Sequence, residues 1–258
     1  MIDVSMVIPT LGSRPEWLVS SATSILEQEG VGVSLSIVCP TGVSLPESVV
    51  GKANVSVRHL DEPGLSRAIN FGWEESPSAR YYAWLGDDDL LTPGGLKAAV
   101  RFLDEHPESS ACYGNVRYID GAGRTLFVAH PGRLAILYTR FGKDIVPQPG
   151  SLFRPRPDGG PLKLDESLKY GMDLDLFLRL RLEGRVSYLD RELASFRLHQ
   201  SSITFNNTDR REAESIRMRY LGATSARIVS RMRPFFNISD RLLYRAVQRD
   251  RAKAGRGR

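Results

Sequence analysis

Short apolar runs alternate with longer amphipathic segments over about the first 110 residues of the chain. Four of the runs are followed by turn-forming residues and predict strands. Between them, apolar residues recur at spacings of three and four, which predicts helices. The predicted strands are residues 4–8, 34–39, 55–60 and 81–85, and the predicted helices are residues 14–29, 65–75 and 93–106.

This alternation predicts an α/β domain with a mostly parallel central sheet and helices on both faces. The strands are nearly continuous apolar runs, as expected where helices cover both faces of a sheet. In such sheets, ligands bind beyond the carboxyl ends of the strands. The residues to consider are therefore Pro9 with Thr10, Cys39 to Thr41, and Gly86 to Asp89.

The pattern changes after residue 110. Two shorter strands are predicted at residues 111–119 and 125–130, with a turn at Asp120 and Gly121 between them. A stretch rich in Pro and Gly follows at residues 147–161. A helix is then predicted from Asp173 to Glu183, followed by a short strand at residues 186–189.

Residues 208–258 have a helical pattern that is broken near Pro234. We therefore predict a main domain of residues 1–207, composed of the halves 1–110 and 111–207. A basic helical extension, residues 208–258, follows it.

The composition is that of an ordinary globular protein, with 41% apolar and 25% charged residues. No apolar run approaches the roughly 20 residues that a membrane-spanning helix needs. The N-terminal residues lack the basic and apolar regions of a secretory signal. Cys39 and Cys112 are isolated in apolar stretches, which predicts buried core residues in a reducing, cytoplasmic compartment.

The net charge of +5 conceals an asymmetry. From Arg210 to the end there are 14 basic and 4 acidic residues, so the main body is net acidic and resembles no nucleic-acid-binding domain. Residues 240–253 combine apolar residues at helical spacing with arginines. Two interpretations stay open: a solvated surface helix, or a helix that makes peripheral contact with an anionic membrane.

Asp87, Asp88 and Asp89 directly follow the fourth apolar run. Such a triplet often forms a solvated loop or the N-cap of a helix. Its position at the ligand edge of a parallel sheet favours metal and phosphate binding instead. Carboxylate oxygens suit Mg²⁺ or Mn²⁺, which bind through one or two carboxylates together with substrate phosphates.

Five segments in a fixed order carry a family resemblance. They are VSMVIPTLGSRPEWL (4–18), DEPGLSRAINFGW (61–73), YYAWLGDDDLLTPGGL (81–96), YGMDLDLFLRL (170–180) and FRLHQSSIT (196–204). Together they resemble the family 2 glycosyltransferases, which are inverting enzymes with the nucleotide-sugar-binding GT-A fold. The resemblance spans roughly residues 3–205.

The resemblance implies a role for each matching residue. Asp173 matches the general base that deprotonates the acceptor hydroxyl. Asp88, Asp89 and His199 match positions that bind Mn²⁺ or Mg²⁺. Residues at donor-binding positions are Pro9, Thr10, Arg67, Asn70 and Asp87.

Two departures from the family pattern affect the expected substrates. The family often has Asp-Asp-Gly-Ser after the second strand, where an aspartate contacts the nucleotide base, whereas this chain has Cys39 to Gly42. Recognition of the base must therefore differ. The usual Glu-Asp pair is Met172-Asp173 here, which changes the acceptor side and leaves the base in place.

Alternatives remain for several roles. Asp173 lies in the first turn of its helix, where the helix dipole favours an acid in any case, and Asp175 competes as the base. Arg67 fits a solvated helix face as well as a donor phosphate. His199 fits an ordinary structural histidine as well as a ligand.

The resemblance implies transfer of a sugar from a nucleotide-diphosphate sugar to a surface saccharide or lipid-linked saccharide of bacterial type. One alternative is a sugar-phosphate nucleotidyltransferase, which would carry a Gly-rich loop after its first strand. The other is a nucleotide-sugar-binding module without catalysis.

Overall fold

The computed structural model describes residues 2–76, 78–141, 144–199 and 211–221. The helical break predicted near Pro234 and the amphipathic segment 240–253 lie outside these residues. The elements in chain order are β1 (Val4–Pro9), α1 (Pro15–Leu26), β2 (Val33–Cys39), α2 (Glu47–Val50), β3 (Val55–His59), α3 (Leu65–Glu74), β4 (Tyr81–Trp84), β5 (Leu90–Leu91), α4 (Gly95–Glu105), β6 (Ser109–Ile119), β7 (Thr125–Ala129), α5 (Ala135–Phe141), β8 (Leu152–Phe153), α6 (Met172–Glu183) and β9 (Arg185–Arg197). Residues 211–221 are helical as well, and we call this segment α7.

One sheet joins all the strands in the order β3-β2-β1-β4-β8-β6-β9-β5, and β7 pairs with β6 at the side. β1 to β4 form a parallel half, as the sequence predicts. The two-residue strand β8 runs antiparallel between β4 and β6, and it connects this half to the rest. β6 and β9 are parallel to each other, so the second half of the sheet is mixed.

Helices cover both faces of the sheet, as predicted. One core lies where α1 and α4 pack on the sheet, around Leu18, Ile25 and Leu103. The other lies beneath α3 and α6, around Trp73 and Phe177. Both cysteines are buried, as predicted.

The strand predicted at residues 186–189 is much longer than expected. β9 continues to Arg197 because its polar residues, which look like a loop in the sequence, have partners on β6. The Asn115 amide donates to Asp190 Oδ1 at 3.0 Å, and Arg117 donates to both carboxylate oxygens of Glu192 at 2.7 Å. Four short elements, α2, β5, α5 and β8, were not predicted. They are too short to show a period in the sequence.

No helix within the described ranges is long and apolar enough to cross a membrane. A cytoplasmic location and the domain boundary at residue 207 stay predictions.

Gly72 allows α3 to pack directly on β1 and β2. A Cβ at this position would lie 2.7 Å from Val7 Cγ1 and 3.0 Å from Val38 Cγ2, within the buried face. We expect Gly72→Ala to lower the free energy of unfolding by about 1 kcal/mol or more, because overpacking outweighs the gain in helix propensity.

Urea denaturation measures this change. Gly51→Ala is the matched control, because Gly51 has a φ of −77° and the nearest atom to its added Cβ is 3.4 Å away. That variant should stay within about 0.5 kcal/mol of the parent. A Gly72→Ala protein as stable as the parent would contradict the proposed tight contact.

Candidate active site

The loop between β4 and β5 carries the three aspartates. Asp87 and Asp89 are buried, with 6% and 4% of their surface exposed, and the Asp88 side chain is 18% exposed. Gly86 leaves room for them, since a Cβ there would lie 2.6 Å from Asp88 Oδ1. The Ser21 hydroxyl of α1 donates to the Gly86 carbonyl at 2.8 Å and fixes the loop to the first helix.

Asp87 joins the carboxyl ends of β1 and β4, as the edge rule for parallel sheets predicts. Its carboxylate accepts from Thr10 Oγ1 at 2.6 Å and from Arg14 Nη2 at 3.1 Å. Burial raises the pKa of Asp87, while the Thr10 and Arg14 contacts oppose this shift and the charge of Asp88 adds to it. Thr10 also accepts from the Gly12 N–H at 3.0 Å, which shapes the turn after β1.

Asp88 meets His199, which arrives from beyond the end of β9. His199 Nε2 lies 2.6 Å from Asp88 Oδ2, and Arg14 Nη1 lies 2.8 Å from the same ring nitrogen. Arg14 Nη1 also reaches Asp88 Oδ2 at 3.4 Å. Residues that are 111 positions apart in the sequence are therefore in direct contact.

Asp89 faces the interior. Its Oδ1 accepts from the backbone N–H of Arg197 at 2.9 Å, and Arg197 Nε donates to the Asp88 carbonyl at 2.9 Å. Burial raises the pKa of Asp89 well above its usual range, and the charge of Asp88 adds to the shift. Its role as a metal ligand stays a prediction.

Two arginines beside the triplet were not singled out in the sequence. Arg14 and Arg197 each place a guanidinium near the ring of Trp17, at 5.3 and 5.0 Å from its centroid. His199 contacts the same ring at 4.9 Å. Arg14 Nε is buried and has no hydrogen-bond partner among the described residues. Both arginines lie inside motifs that carry the family resemblance. Arg14 follows Thr10 by four residues and Arg197 precedes His199 by two, and these positions could have identified them in the sequence.

Asn70 and Arg67 of α3, which were predicted to bind the donor, form hydrogen bonds and an ion pair with residues 164–166. The Asn70 amide donates to the Leu164 carbonyl at 3.0 Å and to Glu166 Oε1 at 2.9 Å, and its oxygen accepts from the Leu164 N–H at 2.7 Å. Arg67 pairs with Glu166 at 3.0 Å. Pro9 is the last residue of β1. Donor contact by these residues stays a prediction.

The end of β2 lacks the aspartate that is often found there in the family, but a carboxylate from another segment lies close to it. Asp61, which follows β3, accepts from the Thr41 N–H at 2.7 Å, and this hydrogen bond lowers the pKa of Asp61.

Asp173 and Asp175 have different surroundings in the first turn of α6. Asp173 is half-buried and accepts from the Leu174 N–H at 2.8 Å. Asp175 is buried, and its Oδ1 accepts from the Tyr220 hydroxyl at 2.7 Å and from Arg219 at 3.4 Å. Asp175 is thus held by two side chains of α7, and the role of Asp173 as the base stays a prediction.

Asp173 belongs to a second group of acidic residues, together with Glu212 and Asp144. Burial raises the pKa of Asp173, and the charge of Glu212 adds to the shift. Burial and the charge of Asp173 raise the pKa of Asp144 to about 7. Burial raises the pKa of Tyr118 to about 12, with contributions from both Asp89 and Asp144. Tyr118 of β6 therefore lies within electrostatic range of both acidic groups.

The residues present fit a divalent cation only as a partial site. In the described part of the chain, no group of three His, Cys, Asp or Glu residues is arranged to hold a metal ion. Asp88 Oδ2 and His199 Nε2 lie 2.6 Å apart in direct contact, so an ion could bind both only after this contact opens. Mg²⁺ usually binds through one or two carboxylates and completes its shell with substrate phosphates and water. Such a site would depend on a bound substrate.

Part of the chain matches a known protein family. Residues 43–154 match the family model described as "Glycosyl transferase family 2". The matched segment contains α3 and the triplet and ends before Asp173 and His199. No curated protein matches the chain.

Solved structures of S. aureus TarS share the fold. TarS 1–349 in complex with UDP-GlcNAc superposes with a TM-score of 0.63 at 17% identity, over 85% of this chain and 66% of that one. The complex of TarS 1–349 with UDP gives 0.59 at 16% identity, over 85% and 71%. TarS 1–349 alone gives 0.57 at 18% identity, over 75% and 60%.

This chain therefore spans less than two thirds of TarS 1–349 alone and of its complex with UDP-GlcNAc. The likeness confirms the α/β fold of the GT-A type.

The buried charge of Asp89 should reduce stability at neutral pH. Because the pKa of Asp89 is raised in the fold, ionising it disfavours the folded state, and this penalty vanishes as the pH falls toward the unfolded value near 3.8. Asp89→Asn keeps the acceptor for the Arg197 N–H and removes the charge. We expect a higher Tm than the parent at pH 7 and a shrinking difference toward pH 4, measured in metal-free buffer.

Asp190→Asn is the control with the opposite sign. Hydrogen bonds from Asn115 and Tyr188 lower the pKa of Asp190, so its ionised form stabilises the fold above that pKa. This variant should have a lower Tm than the parent at pH 7 and approach it in acid. The same pH trend in both variants would refute the expectation for Asp89.

Proposed function

We propose that this chain, whose residues 43–154 match the glycosyl transferase family 2 model and whose fold is of the GT-A type, transfers a sugar from a nucleotide-diphosphate sugar to an acceptor hydroxyl with inversion. The observation that carries the proposal is the meeting of Thr10, Asp87, Asp88 and His199 at one edge of the sheet. These side chains come from the ends of three different strands, as expected of a built site rather than a solvated loop.

The leaving diphosphate needs positive charge, and Arg14 supplies it from this chain. Its guanidinium lies against Asp87 and Asp88, about a third of its side chain is exposed, and its Nε–H lacks a partner among the described residues. A guanidinium presents several donors in a fixed plane, which suits phosphate oxygens. When a donor binds, we propose that Arg14 exchanges carboxylate contacts for diphosphate contacts.

The proposed cofactor is Mn²⁺ or Mg²⁺, held by Asp88 and His199. When bound, such an ion acts as a Lewis acid that stabilises charge on the leaving group. Asp89 would help to fix this arrangement by accepting a hydrogen bond from the backbone N–H of Arg197.

We propose Asp173 as the general base. Burial raises the pKa of Asp173, which makes its carboxylate a stronger base for the proton of the acceptor hydroxyl. The charge of the neighbouring Glu212 also raises the pKa of Asp173, which helps Asp173 to accept a proton from the acceptor hydroxyl.

The donor proposed for the first test is UDP-GlcNAc, because the related TarS fold was solved with it. Asp61 beside Thr41 is our candidate for contact with the nucleotide base. For the acceptor we propose a surface saccharide or lipid-linked saccharide of bacterial type, by analogy with the family. Peripheral membrane contact through residues 235–258 stays a separate prediction.

A thermal-shift screen of UDP-, GDP- and dTDP-sugars with Mn²⁺ tests donor recognition. A ligand at 100 times its Kd stabilises a protein by about 2.7 kcal/mol, so the right donor should stand out from its matched controls. Nucleotide release that rises with acceptor and falls with EDTA would then support metal-assisted transfer.

Other results would favour the alternatives. Pyrophosphate release from a nucleoside triphosphate and a sugar phosphate would indicate a nucleotidyltransferase. Donor binding without turnover under any condition would indicate a binding module.

Separate substitutions of the two acids of α6 distinguish a catalytic role from a structural one. Asp173→Asn should keep its fold and donor affinity and lose about 10²- to 10⁴-fold in kcat, because the general base is removed. Asp175→Asn should instead lower the Tm, because buried contacts with Tyr220 and Arg219 weaken. The measurements are initial transfer rates and thermal denaturation of both variants. Near-parental turnover by Asp173→Asn would refute its assignment as the base.

A further inference from the structure

α7 contacts the start of α6 through Glu212. The Glu212 carboxylate accepts from the backbone N–H groups of Lys169 and Tyr170, at 2.5 and 3.0 Å. These amides lie just before α6, whose N-cap residue, Gly171, has no side chain to cap the helix. A carboxylate near the first turn of a helix also interacts favourably with the helix dipole. Glu212 therefore satisfies from outside the amides at the entrance to α6.

Apolar packing fixes the register of this contact. Ile216 is fully buried against Leu174 and Leu178 of α6. A Cβ on Gly171 would lie 2.5 Å from Ile216 Cδ1, so the absence of a side chain at Gly171 lets α7 approach. The contact cannot slide by one residue without losing the buried isoleucine.

Polar contacts from α7 reach two further segments. Tyr220 and Arg219 hold Asp175, and Arg219 also pairs with Asp165 at 2.8 Å. Arg217 Nε donates to the Thr139 carbonyl of α5 at 2.9 Å. One helix thus ties together α5, α6 and the segment between residues 165 and 170.

Asp173 follows Gly171 by two residues in the first turn of α6, close in sequence to these contacts. The charged groups that face it are Glu212 from α7 and Asp144 from the segment after α5, and Arg217 acts on Asp144 in turn. Neither Glu212 nor α7 falls in the segment that matches the family model. Glu212 lies about 40 positions after Asp173 in the chain.

We propose that Glu212 is a positioning residue for Asp173, because it holds the Lys169 and Tyr170 amides and so sets where the first turn of α6 presents its carboxylate. The proposal rests on the proposed function, in which Asp173 is the general base. Glu212 itself does not touch the reacting atoms. It acts through the backbone before α6 and through its charge.

The test compares Glu212→Gln, Glu212→Ala and Glu212→Asp in the full chain. Glu212→Ala should lower kcat by about 10- to 100-fold with little change in the KM for donor, since hydrogen bonds to a charged group are lost. Glu212→Asp should recover part of the loss. Glu212→Gln keeps an acceptor oxygen and removes the charge, so the loss of kcat should be smaller.

The pH profile separates positioning from general stability. The charge of Glu212 disfavours ionisation of Asp173, so removing it lowers the pKa of Asp173 and should move the acid limb of kcat to lower pH in Glu212→Gln. Glu183→Gln makes the same chemical change at the exposed far end of α6 and should leave both kcat and the profile unchanged. Parental kcat and pH profile in Glu212→Gln and Glu212→Ala would overturn the proposal.

Hydrogen exchange gives a readout that needs no activity. The Lys169 and Tyr170 amides should lose protection in Glu212→Ala and keep it in Glu183→Gln, with the rest of the sheet unchanged. Unchanged protection in Glu212→Ala would overturn the inference even if the enzyme is active. Lack of transfer by the parent with every donor would overturn the proposed function and leave the exchange result to decide the positioning role. Should Glu212→Ala fail to fold, the Glu212→Gln profile decides.

Discussion

The structure depends on placing three adjacent carboxylates at the edge of a buried sheet. Ionised groups lose much of their solvation on burial, and neighbouring like charges add to the free-energy cost. The compensating groups are Thr10 and Arg14 after β1, and Arg197 and His199 at the end of β9. The ends of the domain sequence therefore meet at the loop between β4 and β5. Burial of two carboxylates is tolerated because this site brings donors and cations to them.

The second acidic group is arranged in another way. Burial and the charge of Glu212 raise the pKa of Asp173, and the charge of Asp173 in turn raises the pKa of Asp144, which Arg217 opposes. The triplet gathers positive charge where a diphosphate would leave, and the Asp173 group concentrates negative charge where a proton would be taken. The two halves of the proposed chemistry thus have opposite electrostatic surroundings.

The sequence predicted the parallel half of the sheet well, because its strands are continuous apolar runs and its helices have a clear period. It failed at β9, where Asp190 and Glu192 look like loop residues until their partners on β6 are known. Asn70 and Asp175 show the same limit, since their contacts with residues 164–166 and with α7 are long-range. Arg14 lies in the first motif, residues 4–18, but only the fold shows that its side chain reaches the triplet. Chemistry at strand ends was predictable, whereas pairing across distant segments was not.

The strand β5 directly follows the triplet. It pairs with β9, and Leu90 lies opposite Ser195 and Leu91 opposite Ala194. The loop of the triplet is thus flanked by β4, which belongs to the first half of the sheet, and by β5, which pairs with a strand of the second half. A chimaera joined near residue 110, with this donor half on a foreign acceptor half, would separate β5 from its native partner. It would also remove the Arg197 backbone and His199 from Asp89 and Asp88. Exchange of the second half by recombination would therefore have to retain β9 with residues 1–110, even though β9 begins some 75 residues beyond that junction.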